Sequence, residues 1–343
     1  MRNYILIFFL AGLGITASAQ GSKTPYLTKS LSGAAIKHVN VSTSGGSITV
    51  SGAPDQQPRI EVYITNNLGF TPSNDEIKKR LADDYSLDIS VNGGELHAVA
   101  KNKHEGNWDW RKSLNIAFKV YVPKDVSSNL ETSGGSIHLD NLNGEEKFNT
   151  SGGSLHIDRL TGNIKGRTSG GSIQVSNSSD NVDLETSGGS VHADNCKGTI
   201  KLGTSGGSLH LSDLDGKIDA TTSGGSIQAS SIKGELRTGT SGGSINLSDL
   251  ACSLDTYTSG GSIHVKMVQL GKYVKIDASG GHVDLQLPGN KGLDLNLHGS
   301  KVTADLNGNF SGSKDKDRIE GKLNGGGIPV NVNGGNHVTL TLN

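Results

Sequence analysis

The string Thr-Ser-Gly-Gly-Ser begins at Thr132, Thr150, Thr168, Thr186, Thr204, Thr222, Thr240 and Thr258, an 18-residue period kept without exception. An isolated earlier copy starts at Thr43, and a degenerate copy, Ala-Ser-Gly-Gly-His, starts at Ala278 after a slightly longer interval. A fixed period of this kind marks a chain built from stacked units and outweighs every other signal in it.

With the unit numbered from its threonine, position 6 is aliphatic in all eight units, from Ile137 and Leu155 to Ile263. Position 8 is apolar (Leu139, Ile157, Val175, Ala193, Leu211, Ala229, Leu247, Val265), and the residue between is always polar. That is period-two alternation, a strand with one buried face. Position 11 is mostly apolar, and position 15 is aliphatic from Ile164 to Leu254 within a second short strand. Gly-Gly is expected to close one corner and the glycine at position 13 (Gly144, Gly162, Gly198, Gly216, Gly234) to mark the other, glycine allowing positive φ and letting successive turns stack without Cβ collisions. One such unit has too few apolar side chains to bury a core alone. Stacking equal units roughly 4.8 Å apart lines up identical positions and merges the aliphatic columns. The expected fold is all-β: a single-chain parallel β-solenoid (β-helix) with 18-residue coils. Antiparallel hairpins are the rival, but they tolerate variable turns and leave the strict period unexplained.

Outside the array the pattern loosens. Arg2, the apolar run 4–15 and Ala17-Ser18-Ala19 read as a cleavable export signal over 1–19, with Gln20 opening the mature chain in the periplasm, at the cell surface or in the medium. No later stretch approaches the roughly 20 apolar residues of a transmembrane helix. Residues 20–131 are expected to form an N-terminal capping section, with a short helix over 74–84 behind Ser73 or Asn74 and strands at 60–65, 86–91, 95–100 and 114–122. The repeats occupy 132–277, and 278–343 form irregular coils and a cap, with strand alternation at 283–287 and 338–342.

Cys196 and Cys252 stand at position 11 of the fourth unit and position 13 of the seventh. Three rungs put them roughly 14 Å apart, and a disulfide needs Cα atoms within about 7 Å. They should stay unpaired thiols, Cys196 in place of a core leucine and Cys252 in place of a turn glycine.

The run Leu114-Asn115-Ile116-Ala117-Phe118-Lys119-Val120-Tyr121-Val122-Pro123-Lys124, leading into Thr132-Ser133-Gly134-Gly135-Ser136-Ile137, resembles the bacterial "putative adhesin" family of exported β-strand-repeat proteins, a domain of unknown function. Lys322-Leu323-Asn324-Gly325-Gly326-Gly327 and Gly334-Gly335-Asn336-His337-Val338 are similar to its C-terminal coils. The resemblance spans nearly all of the mature chain. It implies a β-helical fold at the cell envelope and carries over no catalytic residue.

Chemistry must then be sought on the outward positions. Position 7 holds His138, His156, Gln174, His192, His210, Gln228, Asn246 and His264, with Asp284 at the matching place in the degenerate copy. One rung apart, His138/His156 and His192/His210 could share a divalent ion. The interruptions by Gln and Asn, and the lack of further ligands, fit a plain solvated strand face better. Hydroxyls at positions 1 and 5 could form a glycan- or ice-binding array, although such side chains usually bond to corner backbone. Asp140, Asp158 and Asp194 at position 9 invite calcium, but the nonapeptide calcium-roll signature is absent. Trp108 and Trp110, beside His104, could grip a sugar or a partner, or could seal the cap. A glycoside-cleaving pair of acids in an aromatic-lined cleft is not evident.

A formal net charge of −1 gives no electrostatic reason to expect nucleic acid. No cofactor motif appears, and no catalytic or metal-binding residue is assigned. The expectation is a non-enzymatic, adhesin-like or scaffold protein presenting a repetitive polar face to a glycan or protein ligand at the cell envelope. The candidate contact residues are His138, His156, His192, His210, His264, Trp108 and Trp110. A polysaccharide-acting enzyme and a self-assembling filament are the alternatives.

Overall fold

The computed structural model describes residues 24–103, 113–306 and 309–343. The export signal expected over 1–19, together with His104, Trp108 and Trp110, lies outside them. The described chain is all-β apart from one helix, and its strands join into a 29-stranded sheet.

Each regular unit contributes a four-residue strand, such as Leu155–Asp158, and an eight-residue strand, such as Thr161–Thr168. Every long strand pairs in parallel with its counterpart in the next repeat: Asn143 faces Thr161, and Thr150 faces Thr168. The short strands do the same, Leu155 lying between Ile137 and Ile173. The fold is β-solenoid-like. Positions 6, 8, 11 and 15 form one continuous interior, and Leu155, Leu160, Ile164, Leu209 and Leu214 are fully buried. Each such side chain contributes about 1.5–3 kcal/mol by leaving water. Position 17 adds a fifth inward column that the repeat pattern alone did not separate, with Phe148, Leu184, Leu202 and Ala220. Within it large and small side chains are matched: an added Cβ on Gly166 would lie 2.1 Å from Cε2 of Phe148.

The corners differ from expectation in two ways. The repeats' Gly-Gly pair does not take positive φ; of the two expected reasons for glycine, it is stacking without Cβ collision that applies. Its second glycine lies against the carbonyl of its counterpart in the preceding coil, and a Cβ on Gly171 would meet the Gly153 oxygen at 2.0 Å. The other corner turns at position 10, not 13. Asn141, Arg159, Asn177, Asn195, Asp213, Ser231 and Asp249 all have φ between 49° and 56° there. Asn and Asp tolerate this left-handed region best; Arg159 and Ser231 accept it because the coils above and below impose it. The position-13 glycines sit inside the start of the long strand, at φ of 95° to 133° in Gly162, Gly198, Gly216 and Gly234. Where Cys252 replaces that glycine, short and long strands merge into a single strand, Ile245–Thr258.

At both ends coil order departs from chain order. The early copy of the motif, in strands His38–Thr43 and Ile48–Gly52, stacks on the first repeat, with Thr43 facing Thr132 and Ile48 facing Ile137. Its other side is covered by Glu95–Asn102 and Leu114–Val122, which come later in the chain. The C-terminal end mirrors this. Strands Ile328–Gly334 and His337–Leu342 lie directly on Ile263–Ala278 and Val283–Leu287, and the earlier strands Leu293–His298 and Lys301–Ala304 lie outside them.

Antiparallel strands then finish the stack: Tyr85–Asn92, Arg59–Asn66 and Leu27–Ser30 at one end, Arg318–Leu323 and Phe310–Lys314 at the other. Two of the outermost strands, Leu27–Ser30 and Phe310–Lys314, are short and carry Lys29 and Lys314, which discourages edge-to-edge pairing there. Helix Asn74–Asp83 starts at Ser73, whose hydroxyl accepts the Glu76 N–H, and buries Ile77.

Candidate functional site

The position-7 side chains form one straight outward column because the short strands pair without any slip. In order along the stack it reads Lys119, Thr49, His138, His156, Gln174, His192, His210, Gln228, Asn246, His264, Asp284. The imidazoles of His138 and His156 stack with centroids 4.5 Å apart and planes 8° from parallel, and those of His192 and His210 at 4.6 Å and 8°. Face-to-face rings direct their nitrogens side by side, so the pairs as they stand do not converge on one ion. Among the described residues no three His, Cys, Asp or Glu side chains cluster as metal ligands.

His210 Nδ1 lies 3.1 Å from Gln228 Oε1, and His264 Nδ1 lies 2.9 Å from Asp284 Oδ2. Burial, followed by the facing His156 and then Lys119, holds the His138 pKa below the ordinary histidine value. Burial and His210 do the same for His192. From Gln174 to His264 the column borders an open groove of about 950 Å³, whose far wall is the position-9 series Ser176, Asp194, Ser212, Ser230 and Ser248. His138 and His156 lie beyond the end of this groove. Trp108 and Trp110, being outside the described residues, are not placed relative to it.

The hydroxyl ladders are consumed by the corner. Thr150 Oγ1 donates to the Gly135 carbonyl at 2.8 Å and accepts the Gly153 N–H at 3.2 Å, and this pair of bonds recurs through Thr258. Position-5 serines accept the backbone N–H of their counterpart one coil on, as Ser136 does from Ser154 at 3.1 Å. The position-9 acids are satisfied within the chain. Arg159 bridges Asp140 and Asp158, and Asp158 also accepts from Ser176 and Asn177 at 2.8 and 2.7 Å. Burial pushes the Asp158 pKa up, but these hydrogen bonds and Arg159 outweigh it and leave it below the usual value.

Two further features escaped the sequence reading. On the outward face of the long strands, Arg167 contacts Asp183 and Glu185 at 3.1 Å each, and Lys201 contacts Glu185 at 2.8 Å. In the core, the aliphatic position-15 column begins with a carboxylic acid. Glu146 is fully buried, hydrogen-bonds Ser128 on the neighbouring strand, and leaves Oε1 unpartnered. Burial is the main cause that drives its pKa up to about 7, against the opposing Ser128 bonds. The visible signal was the break in an otherwise aliphatic column. Cys196 and Cys252 are free, buried thiols; burial raises the pKa of both, Cys252 to about 12.

No described helix is long and apolar enough to cross a membrane. None of the curated proteins matches the chain. Solved structures similar to it include these two. One, a "putative cell adhesion protein" from Clostridium sporogenes ATCC 15579, is 13% identical, covers 92% of this chain and 98% of its own, and has a TM-score of 0.22. The other, a "putative adhesin" from Bacteroides fragilis NCTC 9343, is 11% identical, with 75% and 95% covered and a TM-score of 0.33. The family model described as Toastrack DUF4097 matches residues 197–337, a narrower span than the resemblance drawn from the motifs. The matched span runs from the later repeats to the transposed C-terminal coils, and over it the chain is similar to that family.

Proposed function

We propose that the chain is an exported, non-enzymatic β-solenoid rod of the cell envelope. It holds a repetitive polar face toward a glycan or protein partner. With coils stacked at about 4.8 Å, the rod is roughly 60 Å long. The observation that carries this reading is the unbroken position-7 column bordering the 950 Å³ groove, where His192 and His210 are held by stacking in fixed orientation. A rigid array of this kind suits many weak contacts that add through avidity.

The alternative of a polysaccharide-cleaving enzyme needs two free carboxylates facing each other across about 5–9.5 Å. The position-9 acids are instead engaged by Arg159, Ser176, Asn177 and Ser212, and on the long-strand face Asp255 is paired with Lys275 and Asp277 accepts from Asn333. The filament reading loses support from the antiparallel strands that close both ends.

The test is co-sedimentation of the purified mature chain with an isolated envelope fraction. Wild type should sediment, and a His192→Ser/His210→Ser variant of unchanged circular dichroism should lose most of that retention. Equal retention of both proteins sinks the assignment of this face. Mass spectrometry of the exported protein should find Gln20 as its first residue.

A further inference from the structure

The second outward face, formed by the long strands, carries a groove of its own. A trough of about 710 Å³ runs from Ser42 to Thr221, and a basin of about 250 Å³ lies further along the same face around Tyr257. The basin combines three features.

The first is an aromatic floor. Tyr257 faces Gly239 across the parallel ladder, and the ring folds down over that glycine. A Cβ on Gly239 would lie 2.3 Å from both Cε1 and Cζ of Tyr257. Gly239 is thereby buried, while Tyr257 keeps 39% of its surface in solvent. A residue with any side chain at 239 would lift the ring off the sheet; glycine lets it lie as a platform.

The second is balanced charge. Arg237 and Lys275 line the basin with Asp255 and Asp277, and Lys275 Nζ lies 3.5 Å from Asp255 Oδ1. In the trough, Arg167 is taken up by Asp183 and Glu185. Such a surface offers donors and acceptors of both kinds without a net field. A polyanion requires an excess of Lys and Arg, and an apolar peptide requires an apolar lining. Neither is present.

The third is the position of Ser259 at the basin wall. Its hydroxyl makes no bond within the described chain, unlike the corner-bound hydroxyls at positions 1 and 5.

We propose that the Tyr257 basin is a subsite for an uncharged glycan, with a sugar ring stacked on Tyr257 and its hydroxyls bonded by Asp255, Lys275, Asp277 and Ser259. This deepens the reading of the rod as a partner-binding protein, on which it rests, by naming the partner as carbohydrate and giving it a face distinct from the histidine column.

The experiment uses the full mature chain and immobilised neutral gluco-, manno- and galacto-oligosaccharides beside acidic uronate oligosaccharides. Wild type should bind at least one neutral series. Tyr257→Ala should weaken that binding about tenfold, the loss expected for one ring contact. Tyr257→Phe should retain it within about threefold, because the ring remains. Tyr257 is exposed, so both variants should melt close to wild type; circular dichroism checks this. Binding confined to uronates, binding indifferent to Tyr257→Ala, or no binding to any neutral series overturns the subsite. Envelope retention that depends on His192 and His210 would survive each of those outcomes, which separates this failure from that of the rod itself.

Discussion

Between Thr132 and Thr258 the neighbours of a coil are the repeat just before it in the chain and the repeat just after it. At the two ends the same strand pairs stack with the same register, but their neighbours lie far away in the chain. Thr43 faces Thr132, and Val283 faces Val338. In the middle, local sequence and spatial contact coincide, and each coil closes against the one just made. At the ends a coil waits for a later segment, or returns to slip beneath an earlier one. The regular region is additive, as repeat arrays are; the ends are closed units that stand or fall together.

The sharpest way to break this contrast is by deletion. Removing residues 187–204, one whole unit from the middle, should leave a folded protein with a modestly lower Tm. Removing residues 328–343 strips the cover from Val274, Ile276, Val283 and Leu285 on one side and from Leu295 and Leu297 on the other. Exposing these buried side chains should give aggregation or loss of the C-terminal end, read by light scattering and by limited proteolysis. Equal tolerance of the two deletions would remove the distinction.

The next largest effect lies at the Gly-Gly corner. Gly171→Ala forces a Cβ to within 2.0 Å of the Gly153 oxygen and should cost about 3 kcal/mol or more in urea unfolding. Gly170→Ala, with 3.5 Å to its nearest neighbour, should change stability by about 0.5 kcal/mol or less. The corner is as tight at the ends, where Gly46 and Gly335 meet backbone oxygens at 2.1 and 2.0 Å, so Gly46→Ala should be as damaging as Gly171→Ala.

Glu146 marks the junction between the two regions. Its ordinary pKa of 4.5 rises to about 7 in the fold. As pH climbs from about 4.5 to 7 the unfolded chain gives up this proton before the folded one does. Stability should therefore fall across that window and remain lower above it. Glu146→Gln should erase this slope and stabilise the protein at pH 8 by up to about 3 kcal/mol, with little difference at pH 4. Chemical denaturation at the two pH values decides it.

The smallest effect is expected at the stacked histidines. The pKa values of His138 and His192 lie below the ordinary value, so the unfolded state takes up their protons first and stability should decline slightly as pH falls below about 6.5. NMR titration should show both rings protonating at a lower pH than free histidine, and His156→Ala and His210→Ala should each relieve part of the shift in the remaining partner.

The middle was legible because its period made contact and sequence the same thing. Strand faces, core columns and the unpaired cysteines all followed from counting in repeats. The ends were not legible in this way. Nothing local to Thr43 says that it pairs with Thr132 rather than with the strand that follows it. Position 10 was missed because Asn, Asp, Arg and Ser share no apolar signature; their common property is a backbone angle. Of the candidate contact residues, the histidines could be placed outward from alternation alone. Their ring stacking could not, since it depends on rotamers. The Tyr257 platform required knowing that Gly239 lies beneath it, a neighbour only once the coils are stacked.

The transposed C-terminal end also bears on how the molecule meets mechanical tension. Strand His337–Leu342 is hydrogen-bonded along one side to Val283–Leu287 and along the other to Lys301–Ala304. With both edges paired, this strand has no free edge from which to peel, and a pull directed along it loads two ladders in shear at once. A rod anchored through that side would resist extraction by geometry, with no added covalent bond.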